Sequence, residues 1–353
     1  MDAFAVIMAG GSGTRFWPAS RRSLPKQYLP IGAPQPLVAQ TLQRLEGLVP
    51  RERILVVSAE SQARELAKAL PGLPVENFLF EPQARNTAPC VAWAALEIRR
   101  RCPDSVQIVL PADHVIRPLE RFRASLAAGL EEARESGSLV TFGIRPTRPA
   151  TGFGYIEVGE SLGQRGSEPV LRVRRFVEKP DADRAREFLD SGRFLWNAGI
   201  FAWRTDTILA AFERHFPAAV RALERLPTGS ELRSAYAGLQ SISIDVAVLE
   251  RETNVRTLPI DYFWSDVGAW TALADVLEAD ADGNRLTGGA TLANLDGADN
   301  IVYGEAGQLI ALIGVENLVV VRAGNAVLVA TRERADEVRG LVEGMAREGS
   351  PFV

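Results

Sequence analysis

The sequence predicts an α/β fold in which a mainly parallel sheet is flanked by helices and followed by a small all-β unit that ends in a helix. Three observations predict it. Short apolar runs of strand length alternate with amphipathic helical stretches through the first half of the chain. A turn almost without side chains, Gly10-Gly11-Ser12-Gly13, follows the first apolar run directly. Beyond Asn284 the composition changes to short apolar strands broken by glycine, asparagine and aspartate.

The elements follow in order. Strands are expected from Phe4 to Ala9, Ile54 to Ser58, Phe78 to Glu81, Val106 to Leu110, Leu139 to Gly143 and Val170 to Glu178. Helices are expected from Leu37 to Leu45, Ala63 to Leu70, Ala88 to Arg101 and Leu119 to Ser136. The stretch from Thr151 to Trp270 is less regular and rich in aromatics, and it reads as a substrate lobe grown from the same sheet. Asp280-Ala281-Asp282-Gly283-Asn284 reads as a linker, which divides the chain into 1–280 and 281–353. In the tail, strands are expected at 300–304, 309–313, 318–321 and 326–330. A closing helix from about Arg334 places Val338, Leu341, Val342 and Met345 on one face.

Composition narrows the function. A net charge of −4 over 353 residues predicts no basic face, which excludes a nucleic-acid polymer as partner. The amino terminus lacks a basic start and a cleavage pattern, no apolar run is long enough to span a bilayer, and Cys90 and Cys102 lack metal or redox spacing. The expectation is a cytoplasmic protein with no membrane contact. Only three of the 40 basic residues are lysines. Two of them, Lys26 and Lys179, lie beside prolines in distinctive local sequence, where a compact point charge on a slim stem does what arginine cannot.

In open α/β sheets, ligands bind where strand carboxyl ends open into loops. The glycine turn and Pro111-Ala112-Asp113-His114 both follow strands, so both belong on that rim. Backbone N–H groups of such a turn approach an anion closely, and Arg15 and Lys26 lie within reach of the same place; the arrangement suits polyphosphate. The turn is not a dinucleotide fingerprint, because Phe16 stands where the third glycine belongs, and it is not a Walker A loop, because Lys26 comes too late. Asp113 ends an apolar strand as a metal-binding carboxylate on a sheet rim should. Adjacent strand residues face opposite sides, so Glu178 and Lys179 are expected to do different jobs.

These segments together resemble the sugar-1-phosphate nucleotidylyltransferases. The resemblance rests on Met8-Ala9-Gly10-Gly11-Ser12-Gly13-Thr14-Arg15-Phe16-Trp17-Pro18, Pro25-Lys26-Gln27, Glu81-Pro82, Arg85-Asn86-Thr87-Ala88-Pro89 and Pro111-Ala112-Asp113-His114. It continues through Thr151-Gly152-Phe153-Gly154-Tyr155-Ile156, Phe176-Val177-Glu178-Lys179-Pro180, Trp196-Asn197-Ala198-Gly199, Ser243-Ile244-Asp245 and Trp264-Ser265-Asp266-Val267-Gly268, in the family's order over about residues 1 to 275. Within that family the Arg-Asn-Thr-Ala-Pro context resembles the branch that uses GTP and mannose 1-phosphate and yields GDP-mannose and pyrophosphate.

The resemblance implies a Rossmann-like mixed sheet of the nucleotide-diphospho-sugar transferase type and a small left-handed β-helix-like C-terminal domain. It implies Mg²⁺ held by Asp113 and Asp266. Arg15 and Lys26 would act on the phosphates. Ala9, Gly10, Gly11, Ser12, Gly13, Thr14, Glu81, Arg85, Asn86, Thr87, Pro111 and Ala112 would bind the nucleotide. Gly154, Glu178, Lys179 and Asn197 would receive the sugar phosphate, and the C-terminal domain would pair two subunits. Two other readings stand beside it: the same fold and mechanism with another base or sugar, and a non-catalytic paralogue that binds GDP-mannose.

Overall fold

The computed structural model describes residues 2–11 and 13–353; the nucleotide-binding expectation for Ser12 lies outside the described residues. Eleven strands build the larger unit: β1 Ala3–Met8, β2 Ile54–Ala59, β3 Phe78–Glu81, β4 Val106–Pro111, β5 Val115–Arg117, β6 Leu139–Ile144, β7 Tyr155–Arg165, β8 Glu168–Val177, β9 Phe194–Arg204, β10 Val255–Ile260 and β11 Phe263–Ser265. Nine of them form one sheet in the order β3-β2-β1-β4-β9-β6-β10-β8-β7. The four strands β3-β2-β1-β4 are parallel throughout, and β6 pairs with β10 in parallel. The remainder is antiparallel, because β9 inserts against β4 and β6 and the β7–β8 hairpin folds onto the far edge. The sheet is therefore mixed, with its parallel half under the glycine turn.

Helices cover both faces of the parallel half, as buried βα units require. They include α1 Leu37–Arg44, α2 Ala63–Ala69, α3 Thr87–Arg101 and α4 Leu119–Ser136. Strands β1 and β2 are apolar on both sides for this reason, and Ala5, Val6, Ile7, Leu55, Val56 and Val57 are fully buried. Cys90 is a small buried residue on α3, as its apolar context predicts. The expected elements of the first half all form within two residues of their predicted bounds. The substrate lobe adds α5 Ala182–Ser191, α6 Thr205–His215, α7 Pro217–Leu223, α8 Gly229–Ala237, a π-helical turn at Asp245–Leu249 and α9 Leu273–Val276.

The C-terminal unit stacks parallel coils. Strands β12 Arg285–Thr287, β14 Ile301–Gly304 and β16 Leu318–Ala323 form one wall, closed by antiparallel β17 Ala326–Thr331. Strands β13 Thr291–Leu295 and β15 Leu309–Ile313 form a second wall. Asparagines stitch the turns: Asn284 Oδ1 accepts from Asn300 N–H and Nδ2, and Asn300 Oδ1 accepts from Leu318 N–H. The expected linker at 280–284 is instead an ordered turn, since Asp280 accepts from the N–H groups of Asp282 and Asn284, and Asn284 is buried.

The closing helix begins later than expected, as α10 Val338–Arg347 after a 3₁₀ stretch. Val338 and Val342 are buried, but Leu341 is 50% exposed, lining an open cavity against β17. The two units share one core, in which Phe16, Trp17 and Trp270 pack with Ile301, Tyr303, Val319 and Val342. Among the described residues no helix is long and apolar enough to cross a membrane.

Candidate functional site

The glycine turn leaves β1 beside the place where Asp113 leaves β4. Met8 and Pro111 are paired in register, and Ala112 N–H donates to the Met8 carbonyl at 3.0 Å. Gly13 has φ of 58°, and a Cβ there would lie 2.6 Å from Lys26 Cβ, so only glycine lets the two segments touch. Gln27, buried, donates to the Ala9 carbonyl at 2.8 Å and to Gln62 at 3.1 Å, which fixes the Lys26 turn against the strand end. The Lys26 side chain is 7% exposed. Its ammonium donates to Asp113 Oδ2 at 2.9 Å and to the backbone carbonyl of Asp266.

Asp266 arrives through a short antiparallel ladder in which Ser265 of β11 pairs with Val115 of β5. A cavity of about 500 Å³ results, lined by Gly13, Thr14, Arg15, Lys26, Asp113 and Asp266 among others. Arg15 is exposed and has no carboxylate partner among the described residues. Burial pulls the Asp113 carboxyl upward, but the Lys26 ammonium, with His114, outweighs it and holds the group below the usual carboxylate range. Asp266 goes the other way. Burial raises it, Lys26 offsets only part of this, and the Asp113 charge adds to it. The difference has a physical source: Lys26 pairs with the carboxylate of Asp113 but reaches only the backbone of Asp266. Two carboxylates facing one cleft are a hard oxygen donor set, and a divalent cation would relieve their repulsion.

His114 stands behind Asp113. Burial drives its pKa down to about 4, so the imidazole is neutral at pH 7. Trp264 Nε1 donates to its Nδ1 at 3.2 Å, which leaves the proton on Nε2, 3.9 Å from Asp113 Oδ1. The imidazole packs edge-on against Trp264, and β9 passes beside it at Gly199.

The expected nucleotide residues divide into two groups. Glu81, at the end of β3, is buried beside Gly10. Burial moves its pKa from 4.5 to about 7, and the nearby Tyr236 hydroxyl lowers it only in part. Neither Glu81 Oε1 nor the Tyr236 hydroxyl completes a hydrogen bond among the described residues. Arg85 and Thr87 face elsewhere. The Arg85 guanidinium donates to the carbonyls of Tyr236 and Ala237, and the Thr87 hydroxyl accepts from Ile244 N–H. Asn86, at φ 64°, caps α3. Arg85 and Thr87 tie α3 to the lobe, a tertiary role that their local sequence does not reveal.

Glu81 makes a pH prediction. A folded pKa above the unfolded value means that the folded state keeps a proton the unfolded state loses. Stability is then full below about pH 4.5, falls as pH rises through 7, and is flat beyond, a loss on the order of 3 kcal/mol. Glu81→Gln should therefore raise the melting temperature of the ligand-free protein at pH 8 and leave it unchanged at pH 4. An equal offset at both pH values would rule out ionisation as the cause.

The expected sugar residues form a second cluster. A Cβ at Gly154 would meet Glu178 Oε2 at 2.7 Å, and the Gly154 carbonyl accepts from Asn197 N–H at 2.8 Å. The Asn197 amide accepts from Thr141 and Gly199 and donates to Asp245 at 3.0 Å. Asp245, which the resemblance includes only within the Ser243-Ile244-Asp245 segment, is pushed up in pKa by burial and by the Glu178 charge. Glu178 and Lys179 do not face opposite sides. Strand β8 stops at Val177, Lys179 takes φ of 45°, and its ammonium lies 2.9 Å from Glu178 Oε1, so strand alternation no longer applies. Arg148, Phe153, Trp196 and Trp264 line a cavity that also reaches Asp266, while Trp203 and Trp270 are core.

The fold and the cleft fit a nucleotidyl-transfer enzyme, and comparison with known proteins shows that class. The nucleotidyl transferase family model matches residues 4–283, and the model of a mannose-phosphate isomerase/GMP-like β-helix domain matches residues 291–345. The chain belongs to the nucleotidyl transferase family.

It is 39% identical to the xanthan biosynthesis protein XanB of Xanthomonas campestris pv. campestris, over 99% of this chain and 74% of that one. It is 38% identical to a mannose-1-phosphate guanylyltransferase of Klebsiella pneumoniae, over 96% and 73% respectively. A crystal structure from Thermus thermophilus, described as a mannose-1-phosphate geranyltransferase, superposes with a TM-score of 0.87 at 38% identity, over 98% of this chain and all of that one.

Proposed function

We propose that this protein transfers GMP from GTP to mannose 1-phosphate, giving GDP-mannose and pyrophosphate. A phosphate oxygen of the sugar attacks the α-phosphorus in line, forming a new O–P bond. The bond from the α-phosphorus to the β-phosphate oxygen breaks, and its electron pair leaves with pyrophosphate. The nucleophile is already an anion at neutral pH, so no general base is needed and catalysis reduces to alignment and charge neutralisation. The single observation that supports this most is the meeting of Lys26, Asp113 and Asp266 at one cleft beside the glycine turn.

In this reading the turn from Ala9 to Thr14, with Pro111 and Ala112, cradles the triphosphate through backbone groups. Lys26 faces the α-phosphate and Arg15 the leaving phosphates. Asp113 and Asp266 would hold Mg²⁺, whose chemistry is to neutralise and orient phosphate oxygens. Glu81 Oε1, without a hydrogen-bond partner among the described residues, is an acceptor of the kind that the guanine N1–H and N2–H₂ edge requires. Glu178 and Asn197 with Asp245 offer acceptors to sugar hydroxyls, and Lys179 meets the sugar phosphate. The unpaired thiols Cys90 and Cys102 suit a reducing cytoplasm.

The test is pyrophosphate release from GTP and mannose 1-phosphate with Mg²⁺, with UTP and dTTP as competitors. No release at high enzyme concentration would favour the non-catalytic paralogue, and preference for UTP or dTTP would overturn the base assignment.

We draw the domain boundary at residue 280 and assign subunit pairing to the 281–353 unit. Leu295, Leu309 and Ile313 are 57%, 63% and 69% exposed on the β13–β15 wall, an apolar stripe that a second copy would cover. Ile313→Asp should convert a dimer to a monomer in sedimentation equilibrium without loss of fold; an unchanged mass would remove this assignment.

A further inference from the structure

Helix α10 belongs to the C-terminal unit, yet it reaches the phosphate cleft. Arg339 and Glu343 on this helix line the same cavity as Arg15, Lys26, Asp113 and Asp266. Arg339 also lines the adjoining cavity toward Arg148 and Trp264, so it stands where the two meet. The placement is held firmly. Helix α10 packs against the Thr14–Phe16 turn that carries Arg15, and Trp17 Nε1 donates to the Phe352 carbonyl at 2.7 Å. Val338 and Val342 anchor the helix in the shared core.

Arg339 Nε donates to Glu343 Oε1 at 2.8 Å, with both side chains more than half exposed. An exposed pair one helical turn apart is weak and exchanges readily for a stronger anion. A phosphate matches the planar guanidinium with two parallel hydrogen bonds and carries more charge.

We propose that Arg339 is a leaving-group clamp supplied by the C-terminal unit. On nucleotide binding it exchanges Glu343 for the terminal phosphates. With Arg15 it then offsets the charge that grows on the β-phosphate oxygen as the α-phosphorus bond breaks. Glu343 is the resident anion that keeps the guanidinium aimed at the cleft between turnovers. No proton moves in this exchange. The proposal rests on the nucleotidyl-transfer reading above and assigns its pyrophosphate side.

Two measurements keep the clamp and that reading apart. The first is calorimetric titration of the full chain with magnesium pyrophosphate, which needs no turnover. Arg339→Ala should weaken binding about tenfold or more, the loss of one charge-assisted bidentate contact, and Glu343→Gln should tighten it. The second is the reverse reaction of GDP-mannose with pyrophosphate, in which Arg339→Ala should raise KM for pyrophosphate and leave KM for GDP-mannose within about twofold. Arg339→Lys should recover part of the loss. Wild-type pyrophosphate affinity in Arg339→Ala, or equal rises in both KM values with an unchanged melting temperature, overturns the clamp. If the wild-type protein binds pyrophosphate through Arg339 but does not turn over GDP-mannose, the clamp stands and the substrate assignment falls.

Discussion

Replacing Asp113 with alanine should lower metal-dependent kcat by about a thousandfold or more, the scale expected when a reaction loses its Lewis acid site. The side chain is 37% exposed and follows β4 on the sheet rim, so its removal empties no core volume. Its one strong protein contact is Lys26, which keeps the Asp266 carbonyl as a second acceptor. The melting temperature should therefore fall by only a few degrees. Pyrophosphate release against Mg²⁺ concentration, with a thermal melt on the same sample, checks both halves. Turnover at the wild-type rate would remove Asp113 from the metal site.

Lys26→Arg should cost about a hundredfold in kcat/KM and about 1–3 kcal/mol of stability, although it keeps the charge. The lysine stem runs between the Gly13 backbone, the Phe16 ring at 5.7 Å and the Asp113 carboxylate. A guanidinium is wider than an ammonium and cannot meet a carboxylate and a carbonyl from one point in that slot. It would displace the glycine turn, whose fit already excludes a Cβ at Gly13. Steady-state kinetics and denaturant unfolding measure the two effects. Wild-type rates in the arginine variant would show that charge alone suffices.

The parts of the site that are legible in the chain are those built by neighbours in sequence. The glycine turn after β1, the Asp113 rim after β4 and the four helices of the first half depend on patterns within one or two turns or strand lengths. Strand β9 is harder to see. It is antiparallel, buried between β4 and β6, out of regular register opposite Thr141–Gly143 of β6, and bent at Gly199 with φ of 68°, so neither its apolar period nor its length stands out. Glu178 and Lys179 mislead for a related reason, since one residue of strand end decides which side each faces.

The roles of Arg85, Thr87, Gln27 and Asp245 are set by partners 18 to 157 residues away, and no local signal marks such partners. The C-terminal unit shows the same limit. Its coil composition identifies a small β domain, but nothing in residues 334 to 347 indicates that Arg339 faces the glycine turn.

By itself the sequence determined the elements of the first half, the strand ends that carry the glycine turn and Asp113, the scarcity of lysine that singled out Lys26, and the family. Strand period, helix period and turn chemistry are short-range and survive without a fold. Only the tertiary structure decided which charges meet. The β5–β11 ladder carries Asp266 to Asp113, and the shared core carries α10 to the cleft. Coulomb interactions fall off over a few ångströms of space, whatever the separation along the chain. The electrostatics of the site therefore exist only once packing has brought residues 15, 26, 113, 266 and 339 to one cavity.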